Sequence, residues 1–143
     1  MWSDTLLAAE RLHLLRILMW GALGVSAGAL LAVSLAVRRV RAPLLRAFAL
    51  QGALWGGVEL LFAALAWRTL GDREYVAAVQ LASRVWMEVV LDVAFILTGS
   101  ILTARGWTRG RPGVVGSGIA VVVQGVALLT IDAPFLLLLR GVL

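Results

Sequence analysis

Four apolar stretches, each long enough to cross a bilayer, fill most of this 143-residue chain and leave only short charged connections between them. A spanning helix needs about 20 apolar residues at a rise of 1.5 Å each. The sequence meets that need at about residues 17–37, 47–67, 84–104 and 114–137. Between them lie Arg38-Arg39-Val40-Arg41-Ala42-Pro43, the stretch from Arg68 to Tyr75, and Arg105-Gly106-Trp107-Thr108-Arg109-Gly110-Arg111-Pro112. Each joins charge to Gly or Pro, the mark of a chain leaving a helix for water. Connections this short turn each helix back beside the one before it. The predicted fold is all-α: a four-span transmembrane helical bundle with antiparallel neighbours, one domain over residues 1–143.

Hydrophobic residues make up 62% of the chain, against about 45–50% apolar in an average soluble domain. The net charge of +5 comes from Arg alone among the basic residues. Arg gathered at helix ends is what membrane insertion demands, so the charge implies no nucleic-acid partner. Cysteine is absent, which removes disulfides, thiolate metal sites and cysteine nucleophiles. Ala27-Gly28-Ala29 has the small-x-small form of a cleavage site, but the apolar run continues to Val37, so the first segment is read as a retained span.

Orientation follows from the Arg distribution. The loops after spans one and three carry Arg38, Arg39, Arg41, Arg46, Arg105, Arg109 and Arg111 and no acid; the opposite side carries Arg11, Arg16, Arg68, Arg73 and Arg140, diluted by Asp4, Glu10, Asp72 and Glu74. The first group belongs in the cytoplasm, which places both termini outside in a bacterial inner membrane. Trp20, Trp67, Trp86 and Trp107 fall near span ends, where interfacial aromatics are expected. Before Ile17 the periodicity starts near Leu6, predicting an overhang of the first helix, with Ser3 a candidate cap.

Inside the spans lie four carboxyl residues, Glu59, Glu88, Asp92 and Asp132. An ionisable group there costs about 2.5–3.5 kcal/mol even on lenient insertion scales, so it requires a partner or a purpose. Arg84, Glu88 and Asp92 follow at i, i+4 and i+8, one stripe on one helix face; Gln51, Trp55 and Glu59 repeat the spacing, and Gln124 and Asp132 stand eight apart. Counting rise from the span ends brings the acids to one layer in the outer half of the membrane. Two uses are open. Arg84, with Arg16, can bend inward to centre a polar lock that fixes helix rotation. Alternatively, Glu59, Arg84, Glu88, Asp92, Gln124 and Asp132 form a site for a cation, a proton or the head of an amphiphile.

Gly24 and Gly28, and Gly52 and Gly56, form two GxxxG pairs that let helix backbones approach, here expected within the bundle. Catalytic patterns are missing. His13 is the only histidine and is expected at the outer boundary as an ordinary interfacial residue; a conventional zinc site lacks further ligands, so neither metal nor cofactor is expected. Gly116-Ser117-Gly118 opens an apolar span without the Lys of a phosphate loop.

Two segments, Leu91-Asp92-Val93-Ala94-Phe95-Ile96-Leu97-Thr98-Gly99 and Gly116-Ser117-Gly118-Ile119-Ala120 running on to Gln124-Gly125, Leu128-Leu129 and Asp132, resemble a family of small uncharacterised four-helix bacterial membrane proteins. In that family an Asn precedes the Leu-Asp pair by about three residues and an aromatic follows it; here Glu88 and Phe95 stand near those places. The resemblance implies a four-helix membrane bundle with Asp92, Gln124 and Asp132 as carried-over residues, and no activity.

With no room for a soluble catalytic domain, the expected function is non-enzymatic: an accessory or structural subunit of a membrane complex, or a homo-oligomer, with lipid and other membrane subunits or itself as partners. A small transporter, channel or amphiphile-binding protein built on the acidic layer is the alternative, and an enzyme acting on lipid or quinone stays open at lower weight.

Overall fold

The computed structural model, described over residues 2–142, contains four helices and no strand among those residues. They are α1 (Trp2–Val37), α2 (Pro43–Trp67), α3 (Tyr75–Thr108) and α4 (Pro112–Val142). All four are long and apolar enough to cross a membrane. Each contains one expected span, and α1 and α3 begin well before theirs, at residues 2 and 75. The 36 residues of α1 make a rod about 54 Å long, against a hydrocarbon core of about 30 Å. The overhang of α1 is therefore an unbroken continuation of the spanning helix. Ser3 does not cap it: its hydroxyl donates to Asp72 Oδ1 at 3.2 Å.

Local chemistry sets the helix ends. Pro43 opens α2 and Pro112 opens α4, positions where a missing N–H costs nothing. At the end of α3, Arg111 N–H donates to the Gly106 carbonyl at 2.8 Å and Gly110 N–H to that of Trp107 at 3.1 Å, a Schellman motif with Gly110 at φ 60°. The end of α1 repeats it through Val40 to Leu35 at 3.0 Å and Arg39 to Ala36 at 3.1 Å. There the left-handed residue is Arg39, at φ 52°.

A seven-residue rhythm of mostly small residues organises the packing. The buried positions of α3 are Ala78, Val85, Asp92, Gly99 and Gly106. Facing them on α4 are Gly118, Gly125, Asp132 and Leu139, at the same spacing. Ala49, Gly56 and Ala63 continue the rhythm on α2, as do Leu14, Gly21 and Gly28 on α1. A heptad of this kind keeps one seam facing one neighbour along a left-handed crossing. A Cβ on Gly99 would stand 2.7 Å from the Gly118 carbonyl oxygen, and one on Gly56 2.6 Å from that of Gly21. Gly24 and Gly28 likewise face α2, at Gly52 and Ala49, whereas a Cβ on Gly52 would meet nothing within 4 Å.

Two antiparallel hairpins result, α1 with α2 and α3 with α4. Helix α4 also packs on α2 and α1, while α3 makes no comparable backbone approach to either of them. The gap beside α3 closes at one end. There Leu6, Ala78, Val85, Phe135, Leu136 and Leu139 form an apolar cluster near the chain termini. Beyond it, Arg73 forks onto the buried carboxylate of Glu10, with Nε donating to Oε2 at 2.8 Å and Nη2 to Oε1. The pair ties the α2–α3 loop to α1, and its hydrogen bond raises the pKa of Arg73 above the ordinary value.

Candidate functional site

Further along that gap, between the terminal cluster and the middle of the bundle, lies a cavity of about 380 Å³. Every helix contributes to it: His13 from α1, Trp55 and Glu59 from α2, Glu88, Asp92 and Phe95 from α3, and Asp132 from α4. The cavity exists because α2 and α3 stand apart at the backbone. Trp55 and Phe95 bridge the space with ring centroids 5.0 Å apart.

The seams place the acids. Asp92 and Asp132 occupy heptad positions on α3 and α4, so they are carried inward with the small residues around them. Side chains on a helix tilt towards its N-terminus. On antiparallel helices those tilts converge, and the carboxyls of Asp92 and Asp132 come within hydrogen-bonding reach. The absence of a side chain at Gly125 allows this, because a Cβ there would stand 2.6 Å from the Asp92 carbonyl oxygen. Helices α2 and α4 run parallel, with Leu44 against Gly116 near their starts, and this register brings Glu59 towards the level of Asp132.

His13 is 6% exposed and is held by a stack on Phe135 with centroids 4.2 Å apart. Its Nε2 lies 3.6 Å from Asp132 Oδ1. This corrects its placement as an interfacial residue. The face running Leu6, Glu10, His13, Leu14, Ile17, Gly21 at helical spacing points it inward, a signal visible in the sequence. One ligand-capable atom each from His13, Glu88 and Asp132 lies within 4.8 Å of the other two. The fold thus brings together ligand-capable side chains that no sequence motif announces.

The charge balance of the cavity is one-sided. Four carboxyl side chains line it, with no Arg or Lys. Glu59 is 7% exposed, and neither of its oxygens has a hydrogen-bond partner. Asp92 Oδ2 and Asp132 Oδ1 are likewise buried without one. Two carboxylates offer only acceptors to each other, so the Asp92–Asp132 approach requires a proton or a cation between them.

The expected arginine-centred network does not form. Arg84 is exposed and makes no ion pair among the described residues, and Arg16 lines a separate cavity with Pro134 and Phe135. The reason is rotational: each step of four residues turns about 40° around a helix. Glu88 sits one step from the α3 seam at Asp92 and Arg84 two, which carries Arg84 out of the interface. Gln124 also lies apart from the cavity, accepting a hydrogen bond from Trp20 Nε1 at 3.2 Å. Trp20 thus packs its indole N–H into the bundle. Of the sequence-derived set, Glu59, Glu88, Asp92 and Asp132 share one chamber, and His13 joins them.

No curated protein and no solved structure is significantly similar to this chain. One family model does match, over residues 16–133, a stretch that holds all four chamber acids. The chain belongs to the Family of unknown function (DUF6992).

Proposed function

We propose that this chain is a non-enzymatic multi-pass protein of the bacterial inner membrane, with both termini outside, that binds a cation in the acidic chamber lined by all four helices. The observation that carries the reading is Glu59: a buried carboxyl with both oxygens unpartnered, facing a cavity that contains three further acids and no basic side chain except His13. A polar lock satisfies its members, since leaving a buried acceptor unbonded costs about 1–3 kcal/mol. Unsatisfied acids beside an open volume are instead arranged for something that arrives. Glu88 is exposed at the edge of the cavity, and α2 and α3 do not close over it. That gives access from the side, through the apolar surroundings.

The test is titration of the full protein in lipid nanodiscs, stripped with chelator, using sodium, zinc and tetraethylammonium ions in turn. At least one class is expected to bind saturably, and the pair of substitutions Glu59→Gln and Asp92→Asn to weaken it tenfold or more with helical circular dichroism intact. Absence of binding by every class, or unchanged affinity in the folded variant, would sink the reading.

A second reading, an accessory subunit or homo-oligomer, draws on α2, where Gly52 and Gly57 are open positions: a Cβ on either would meet nothing within 4 Å. The two lie about 140° apart around the helix, so each offers a small open position to a further helix. Native mass spectrometry from the source membrane distinguishes a defined complex from a monomer.

A further inference from the structure

The chamber adds an imidazole to its carboxyl oxygens, a donor that a monovalent or organic cation does not need. Sodium and ammonium groups are satisfied by oxygen atoms, and calcium and magnesium also take oxygen ligands. An imidazole placed among carboxyls matches the nitrogen and oxygen preference of zinc, manganese, iron and their neighbours. His13 comes from α1, Glu88 from α3 and Asp132 from α4, and their ligand atoms lie within 4.8 Å of one another. From these groups we propose that the chamber holds a divalent transition-metal ion, with His13, Glu88 and Asp132 as its protein ligands. The inference rests on the chamber being a cation site and adds the chemical class of the cation.

Charge and geometry agree. The carboxylates of Glu88 and Asp132 and a dication sum to zero, and a neutral imidazole adds no charge, so the ligand set balances the ion it holds, with Glu59 and Asp92 outside that sum. Donors at about 2.0–2.2 Å from a metal stand no more than about 4.4 Å apart, and the three atoms lie within 4.8 Å of one another, so little movement closes the site. His13 is fixed by its stack on Phe135, and Asp132 is buried in the α3–α4 seam. Glu88 is exposed at the cavity edge and is the ligand free to move. Closure is therefore a swing of one side chain from the opening. Independent of the three ligands, both oxygens of Glu59 are buried and unpartnered in the same cavity, available to a metal-bound water.

Because the chain has one histidine, a spectroscopic test needs no substitution in the core. Untagged full-length protein in nanodiscs, loaded with one equivalent of copper(II), is examined by electron spin echo envelope modulation. The expected signal is the remote-nitrogen modulation of a single imidazole, lost when excess zinc displaces the copper. In parallel, zinc titration is expected to show one site per chain, weakened at least tenfold by Glu88→Gln and unchanged by Glu74→Gln, an exposed acid outside the chamber. Copper bound without imidazole modulation, or zinc affinity indifferent to Glu88→Gln, overturns the assignment. Tetraethylammonium binding without zinc binding overturns the metal and leaves the cation chamber standing, while failure of every cation removes both.

Discussion

A carboxyl group as buried as Glu59, with neither oxygen bonded, destabilises the protein that carries it. Glu59→Leu is therefore expected to raise the melting temperature of cation-free protein, by an amount corresponding to about 1–3 kcal/mol, and to weaken cation binding. A lowered melting temperature would mean that Glu59 belongs to a structural network. Two arginines differ in the same way. Arg73 neutralises buried Glu10, so Arg73→Gln is expected to cost about 3 kcal/mol, whereas exposed Arg84→Gln should change stability by less than about 0.5 kcal/mol; chemical denaturation of both variants gives the comparison. At the end of α1, Arg39 holds a left-handed backbone, φ 52°, that glycine adopts without strain. Arg39→Gly should raise stability by about 1 kcal/mol in the same assay.

At the level of the helices, the heptad of small residues carries the packing, and its tolerance should vary along the chain. Gly99→Leu drives a side chain into the α4 backbone, where a Cβ already stands 2.7 Å from the Gly118 carbonyl oxygen. A loss of about 1–3 kcal/mol is expected from the forced separation of α3 and α4, against no measurable change for Gly52→Ala, read by thermal melting in one detergent. Much of this level was legible beforehand. Apolar run length located all four helices, since that is what a bilayer selects. Their ends were harder, because the overhangs of α1 and α3 are rich in Leu, Ala and Val and continue the helical pattern past any hydrophobic limit. The GxxxG pairs drew attention to spacing four, but the rhythm that runs through all four helices is spacing seven, traceable in the sequence as Gly99 and Gly106, Gly118 and Gly125, and Gly21 and Gly28.

For the molecule as a whole, the arrangement of hairpins creates the chamber. Helix α4 touches the other three, α3 is held mainly by α4, and the volume left between α2 and α3 collects an acid or an imidazole from every helix. The acids of this site could be read from the sequence, because ionisable groups in apolar spans are costly wherever they point. His13 and Arg84 could not be assigned correctly by that argument. A single histidine before a span forms no motif, and a stripe at i, i+4, i+8 shows that residues share a helix face without showing which way that face turns. The turn is fixed by the Gly99–Gly118 and Gly125–Asp92 approaches, which are tertiary. The most direct measurement of the central claim is native mass spectrometry of untagged protein released from its own membranes, wild type beside Glu59→Gln with Asp92→Asn. The account predicts a reproducible cation mass on the wild type that is missing from the folded variant; the same bound mass on both, or none on either, would contradict it.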